Sequence, residues 1–198
     1  MNPFILYDTE FTAWPGSQQR NWGNAGEYKE IIQLAALKVR FSDDQLVPLS
    51  SINVLVRPTI NSRLSDYIIK LTGIEQPILD DHGIDFASCA RQFAEFTHQG
   101  SIKCYSWGPV EVVLKENYRL NDLKWDFPDK SFGDLKSQLY NLGLDFRCVP
   151  SGGLANKVGV ELDGHLHNAL YDVKSIAAFL NQLLLSKKIT QKQLHVAD

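Results

Sequence analysis

The stretch FILYDTEF, residues 4–11, decides the fold, because it changes from apolar to acidic within the length of one strand. Phe4 to Tyr7 are apolar and predict a buried strand. Asp8 and Glu10 follow two residues apart, so in an extended chain their side chains point to the same face. The simplest explanation is two solvated carboxylates, and about three acid-x-acid pairs are expected by chance in this composition. The functional prediction therefore depends on their position at a strand end, where binding sites are common.

The composition indicates one compact globular domain over residues 1–198. The chain is 44% hydrophobic and carries a net charge of −3, which suits a single core. The apolar run at 4–7 is too short for a signal peptide, and no stretch approaches a membrane span. Three cysteines, odd in number and far apart, favour a reducing compartment; these are Cys89, Cys104 and Cys148. We therefore expect a cytoplasmic protein without a membrane partner.

Hydrophobic periodicity predicts a run of strands followed by alternating helices and strands. The predicted strands are 3–10, 30–41, 46–58 and 101–107. The Ala-Leu content of 30–41 leaves a helix open, and we expect a break near Pro48 in the strand 46–58. The predicted helices are 62–74, 85–100, 109–120 and 131–143, followed by a long helix with one apolar face from Val173 to Leu184. This order predicts an α/β fold in which a mixed central sheet is flanked by helices, with no linker.

The sequence HNALYD, residues 167–172, places a histidine and an acid near the start of that long helix. About 0.6 pairs at this spacing are expected by chance, so the spacing alone decides little. Asp172 falls in the first helical turn, where an acid can simply favour the helix N-terminus. His167 precedes the helix, so its ring could fold over the same spot. His165 is a weaker candidate, because Leu170 and not an acid follows it by five residues.

The third acidic segment is YSWGPVEVV, residues 105–113. A short strand is predicted to end at Trp107, which we expect in the core, and Pro109 favours the first turn of a helix. Glu111 falls in that turn, where the helix dipole again offers a structural explanation. Together, the three segments place carboxylates at three element ends, with one histidine among them.

The ordered set DTE, SWGPVE and HNALYD resembles the three exonuclease motifs of the DEDDh family of 3′–5′ exonucleases. The stretches DTEFTAW, EIIQLAALKV, LTGIEQ and GHLHNALYDVKSIAAFL are similar to the same family, so the resemblance covers residues 3–185. The chain most resembles the branch that trims histone mRNA and small RNAs. The resemblance implies a ribonuclease H-like fold and hydrolysis of phosphodiester bonds at 3′ ends, with release of 5′-mononucleotides.

The resemblance also implies a role for each functional residue. Asp8 would bridge two divalent ions, Mg²⁺ or Mn²⁺, and Glu10 and Asp172 would complete the first ion's site. These cations prefer hard oxygen ligands, and their charge would offset the repulsion between the carboxylates. Two ions about 3.5–4 Å apart can hold the attacking and leaving oxygens of an in-line displacement. His167 would be the general base, a role that suits the ordinary histidine pKa of about 6.5.

Glu111 departs from the family pattern, which has Asp at this position. If the carboxylate binds the metal directly, the added methylene could shift it by about 1 Å, an error that can cost about 100-fold in rate. If it acts through a bound water, the helix could adjust and activity would survive. We expect a working enzyme. The alternative is a catalytically weakened nuclease-fold module that binds nucleic acid ends or a protein partner. Glu116 is a weaker substitute, because it lies further along the helix.

The resemblance places substrate contacts directly after the first acids. Phe11 and Thr12 occupy the positions at which the family contacts the terminal nucleotide, and Trp14 borders the next loop. Aromatic side chains stack on bases without sequence preference, which suits single-stranded 3′ ends of RNA or DNA. Trp22, in the same loop, is better explained as a loop anchor. A homodimer is a further expectation, since many members of this family pair.

Overall fold

The computed structural model describes residues 2–194. At its centre is a five-stranded sheet with strand order β3-β2-β1-β4-β5. The strands are β1 (Phe4–Phe11), β2 (Ile31–Ser42), β3 (Gln45–Leu55), β4 (Cys104–Ser106) and β5 (Phe132–Asp134). The first three strands pair antiparallel, whereas β4 runs parallel to β1 and β5 runs parallel to β4. The predicted mixed central sheet is confirmed, and β2 is a strand rather than a helix.

Helices flank this sheet on both faces. Those of the described chain are α1 (Asp66–Thr72), α2 (Gln76–His82), α3 (Phe86–Phe96), α4 (Val110–Leu120), α5 (Leu135–Asn141), α6 (Leu154–Lys157), α7 (Ala169–Leu185) and α8 (Gln191–Leu194). A 3₁₀ turn at Ser151–Gly153 leads into α6. Between residues 2 and 194, no helix combines the length and apolar character needed to cross a membrane.

β1 lies in the middle of the sheet and distributes its side chains between two cores. Phe4 and Leu6 pack with α7 on one face, while Ile5 packs with α3 and α4 on the other. Because side chains alternate along a strand, Asp8 and Glu10 continue the face that α7 covers. The strand that builds the core therefore also carries both acids towards the first turn of α7.

α7 is the longest described helix, and its apolar face fixes its position on the sheet. Val173 and Ile176 are fully buried in the core that this helix shares with β1. Phe179 is also fully buried, and its ring lies 5.7 Å from Trp107 and 4.8 Å from Phe146, both in edge-on geometry. Burial of each such side chain stabilises the fold by about 1.5–3 kcal/mol. The start of α7 is consequently held at a defined place above β1.

Two predicted elements differ from the structure for non-local reasons. The helix predicted at 131–143 begins only at Leu135, because Phe132–Asp134 pairs with β4 as an edge strand. The strand predicted at 46–58 continues past Pro48, with a register shift in its pairing to β2 at that point. β3 is itself an edge strand, where a residue without an N–H is tolerated.

The helix predicted at 62–74 begins only at Asp66 and stops at Gly73, and its two caps explain both ends. Ser65 accepts a hydrogen bond from the Ile68 N–H at 3.2 Å, so the helix starts at Asp66. Gly73 has φ 72° and donates its N–H to the Ile69 carbonyl. Glycine adopts this left-handed conformation without steric cost, and the helix ends at Thr72, directly before it.

Candidate active site

One cleft of about 430 Å³ brings together four of the five residues that the motifs predict as catalytic. Asp8 and Glu10 enter it from the end of β1, Asp172 from the first turn of α7, and His167 from the loop before that helix. Glu10, His167 and Asp172 each offer a ligand atom within 4.8 Å of the others. Residues about 160 positions apart in the chain thus meet at one edge of the sheet.

Local hydrogen bonds position the α7 side of this cleft. Asn168 caps the helix by accepting from the N–H groups of Leu170 and Tyr171, at 3.2 and 3.3 Å. Gln33, the β2 residue paired with Glu10, accepts from the Ala169 N–H at 2.9 Å. The sheet therefore holds the N-terminus of α7 directly beside the strand that carries the acids.

The three carboxylates are buried together and form no ion pair with a lysine or arginine of residues 2–194. Asp8 and Glu10 are each 8% exposed, and Asp172 is 2% exposed. Burial raises the pKa of Asp8 to about 8, and the charge of Asp172 adds to the rise. Burial also raises the pKa of Glu10 to about 9, with further contributions from Asp8 and Asp172. Among residues 2–194, no lysine or arginine forms an ion pair with these acids, so the cluster must bind protons or a cation.

The two oxygens of Asp172 have different surroundings. Oδ2 accepts a hydrogen bond from the Ser151 hydroxyl at 2.7 Å, whereas the buried Oδ1 has no hydrogen-bond partner in the described chain. A buried, unpaired carboxylate oxygen beside two further carboxylates is a donor set that fits a hard divalent cation. Burial raises the pKa of Asp172 as well, against the opposing effect of the Ser151 hydrogen bond.

Ser151 and Gly152 are site residues that the sequence did not indicate. Ser151 lines the cleft, and Gly152 packs so tightly that a methyl group in its place would lie 2.5 Å from Asp172 Oδ1. Their stretch, PSGG, has the composition of an ordinary turn. Only the contact with α7 gives it a role in the site.

Glu111 lies apart from the other acids. Its side chain lines a neighbouring cavity of about 140 Å³ together with Ser106 and Asp134, and it does not line the main cleft. Its carboxylate forms an ion pair with Lys115 at 2.6 Å, one helical turn away on α4. Pro109 lines both cavities. The position at which the chain departs from the family pattern is thus also the one that the structure does not bring into the cluster.

Two of the three residues predicted to bind substrate line the cleft, and the third does not. Phe11 and Trp14 line the cleft. Thr12 does not, because its hydroxyl donates to the Tyr28 carbonyl at 2.6 Å and accepts from the Glu30 N–H at 3.0 Å. Thr12 is 2% exposed and joins the two ends of the loop that follows β1.

That loop also carries Trp22, which anchors the loop as predicted and in addition lines the cleft. Its indole N–H donates to the Thr12 carbonyl at 2.9 Å, and its ring lies 5.4 Å from that of Phe11. The ammonium of Lys29 lies 4.6 Å from the ring centroid, within cation–π distance. An aromatic surface with an adjacent positive charge therefore borders the acidic cluster.

Trp107 is buried as predicted, and it contributes to the wall of the cleft. Its indole N–H donates to the Val149 carbonyl at 2.8 Å, and its ring packs against α7. The wall beside the acids is therefore part of the same core that fixes the helix.

Comparisons with known proteins agree with this geometry. The human protein ERI1 exoribonuclease 2 is 26% identical over 195 residues, which are 87% of this chain and 27% of that protein. The mouse protein of the same name is 25% identical over the same shares. The chain therefore spans about a quarter of the length of these curated relatives.

Solved structures show the same fold. The nuclease domain of 3′hExo, described as a DEDDh family member bound to rAMP, superposes with a TM-score of 0.71 at 24% identity, covering 93% of this chain and 92% of that one. Cell-death related nuclease 4 gives a TM-score of 0.71 at 18% identity, covering 94% of this chain and 64% of that one. The predicted ribonuclease H-like fold is thereby confirmed. The model of the Exonuclease family, RNase_T, matches residues 5–180. The chain therefore belongs to the Exonuclease family, in agreement with the resemblance of its three motifs to DEDDh enzymes.

Proposed function

We propose that this chain is a divalent-metal-dependent 3′–5′ exonuclease that hydrolyses the terminal phosphodiester bond of single-stranded RNA and releases 5′-mononucleotides. The observation that carries this proposal is the convergence of Asp8, Glu10, Asp172 and His167 in one cleft. Family membership supports the reaction class. Burial of three carboxylates that pair with no lysine or arginine lowers the stability of the fold, and binding of a divalent cation would offset this cost.

RNA is the proposed substrate because of the relatives. The curated relatives are named exoribonucleases, and one similar solved structure shows 3′-end specific recognition of a histone mRNA stem-loop by a 3′-exonuclease. Exonuclease I of E. coli in complex with single-stranded DNA has a similar fold, at a TM-score of 0.69 and 16% identity. Single-stranded DNA therefore remains the substrate to compare with RNA.

Asp8, Glu10 and Asp172 are the residues that would hold the divalent ions. When bound, such ions polarise the attacking water and the phosphate oxygens and offset the charge of the carboxylates. We propose Mn²⁺ or Mg²⁺ for this role, and expect the longer Glu111 to favour Mn²⁺. The ranking of the two ions by activity is a direct test of that expectation.

The other residues of the cleft have separate roles in the proposed reaction. His167 accepts the proton from the water that attacks phosphorus, since its ring lies beside the acidic cluster on the loop before α7. Phe11, Trp14 and Trp22 offer ring faces on which the terminal bases stack. Lys29, next to Trp22, supplies a positive charge near the phosphate backbone of the bound nucleic acid.

The position of Glu111 is compatible with an active enzyme. Its pair with Lys115 lies on the surface, with side chains 35% and 51% exposed. Exposed helical pairs of this spacing stabilise by about 0.3–0.5 kcal/mol, so the carboxylate can leave Lys115 at small cost. We propose that Glu111 acts through bound water at the edge of the cleft. A weakened binding module is the outcome expected if this adjustment fails.

A time course on 5′-labelled single-stranded RNA and DNA of one sequence, with Mn²⁺ or Mg²⁺, tests the proposal. The wild-type protein should shorten the strand from its 3′ end, faster on RNA than on DNA. Asp8→Asn should abolish cleavage, and Asp129→Asn, which changes an exposed aspartate in the loop before β5, should retain it. Intact substrate with the wild-type protein would contradict the proposal, and Glu111→Asp would then show whether the departure from the motif is responsible.

Two further predictions concern the setting of the protein. A homodimer is predicted from the resemblance alone, and the molar mass in solution by light scattering tests it. A cytoplasmic location is predicted from the scattered cysteines, and imaging of the full-length protein in its own cell tests it.

A further inference from the structure

We propose that Ser151 is a positioning residue for the metal site, which orients Asp172 so that its Oδ1 atom is the oxygen presented to a divalent cation. The inference rests on the proposed function, which requires such a cation in the cleft. Ser151 reaches the site from the turn before α6, outside the three motif segments.

The contacts of Asp172 carry the first step. Ser151 donates its hydroxyl to Oδ2 at 2.7 Å, and Oδ1 is buried without a hydrogen-bond partner in the described chain. A carboxylate with one oxygen fixed by a donor keeps the other in a defined direction. Without the donor, the group could rotate about its Cβ–Cγ bond, so that neither oxygen would keep a fixed direction.

The turn that carries Ser151 is itself fixed to α7. Ser175, three residues after Asp172 on the same helix, donates its hydroxyl to the Gly152 carbonyl at 3.1 Å. It also accepts from the Ala155 N–H at 2.9 Å. Ser175 has no exposed surface. The donor and the carboxylate that it orients are thus tied to one helix, so their relative position does not depend on the mobility of a free loop.

The absence of a side chain at Gly152 completes the arrangement. A methyl group there would lie 2.5 Å from Oδ1 and 3.2 Å from the Asp172 carboxyl carbon. The backbone of the turn therefore approaches one oxygen while the Ser151 hydroxyl holds the other. Hydrogen-bond donors that hold a metal-binding carboxylate in this way commonly affect metal affinity by about 10- to 100-fold when they are removed.

Binding of Mn²⁺ to the metal-free protein, measured by isothermal titration calorimetry at pH 7.5, tests this role without any turnover. Ser151→Ala should weaken binding about 10- to 100-fold, and Ser151→Thr, which keeps the hydroxyl, should restore it. Ser88→Ala is the matched control, because Ser88 likewise donates its hydroxyl to an aspartate, Asp85, but at the exposed start of α3. The melting temperature of the metal-free Ser151→Ala protein should stay close to that of Ser88→Ala.

The outcomes separate this inference from the proposed function. If Ser151→Ala binds Mn²⁺ and cleaves RNA as well as the wild-type protein does, the positioning role is contradicted and the proposed function is not. A loss that Ser151→Thr does not restore, together with a lower melting temperature of the metal-free variant, would also overturn it, because it would indicate a general structural role. A wild-type protein that neither binds Mn²⁺ nor shortens RNA would contradict the proposed function and this inference with it.

Discussion

Replacement of Glu10 by glutamine should stabilise the metal-free protein at alkaline pH and have little effect near pH 5. Burial and the charges of Asp8 and Asp172 raise the pKa of Glu10 from 4.5 to about 9. A carboxyl with a higher pKa in the folded than in the unfolded state binds its proton preferentially in the folded state. Its stabilising contribution is therefore complete below pH 4.5 and is lost as the pH rises through about 9. Glutamine resembles the protonated acid and has no such loss.

The size of the effect follows from this pH window. Between the two pKa values, one group lowers the free energy of unfolding by about 1.4 kcal/mol for each pH unit. From pH 5 to pH 8 the upper limit is therefore about 4 kcal/mol. Glu10, Asp8 and Asp172 titrate as one interacting cluster, so the observed slope belongs to the three groups together. At about 2–4 °C per kcal/mol for a chain of this length, we expect Glu10→Gln to melt up to about 16 °C above wild type at pH 8.

Thermal unfolding of EDTA-treated proteins from pH 5 to pH 9 measures this difference. Glu95→Gln, which changes an exposed glutamate on α3, is the control for the loss of a charge. Added Mn²⁺ should stabilise the wild-type protein at pH 8 and stabilise Glu10→Gln much less. If the wild-type and Glu10→Gln melting temperatures differ by the same amount at every pH, the acids do not destabilise one another and the reasoning is wrong.

Three further substitutions test other parts of the structure. Trp22→Ala removes a ring from the wall of the cleft. Since base stacking on an aromatic side chain contributes about 1–3 kcal/mol, single-stranded RNA should bind about 5- to 150-fold more weakly in a fluorescence anisotropy titration. Gly152→Ala places a methyl group against Asp172 Oδ1, so the rise in melting temperature on addition of Mn²⁺ should be lost. Phe179→Ala empties a fully buried site on α7 and should lower the free energy of unfolding by about 3–5 kcal/mol in urea.

Each of these has a matched control. Trp22→Phe keeps an aromatic ring and should retain most of the RNA affinity, and equal affinity in Trp22→Ala would exclude stacking on this side chain. A methyl group at Gly153 would meet its neighbours only from 3.4 Å outwards, so Gly153→Ala should show the wild-type rise in melting temperature with Mn²⁺. The same rise in Gly152→Ala would contradict the close packing of Gly152 against Asp172. Leu185→Ala removes a half-exposed side chain and should change stability by about 0.5 kcal/mol at most; a similarly small change in Phe179→Ala would disprove the rigid core.

The sequence alone determined those features that depend on neighbours along the chain. The alternation in β1 places Asp8 and Glu10 on one face of an extended strand, whatever that strand packs against. The apolar stripe of α7 likewise predicts a helix, with Asp172 in its first turn. The ordered motifs then indicate the family, and with it the chemistry that such acids perform.

Only the tertiary structure decided which of these groups meet, because distances between elements depend on packing and not on local periodicity. The pairing of Phe132–Asp134 with β4 made a strand from the predicted start of a helix. The turn at Ser151 acquired a role by contact with α7, which no property of its own sequence reveals. Glu111 sits in the first turn of α4 as predicted, yet the orientation of that helix directs its carboxylate to Lys115 and a separate cavity. The raised pKa values of Asp8 and Glu10 likewise depend on packing, since these acids are buried only when β1 and α7 pack against one another.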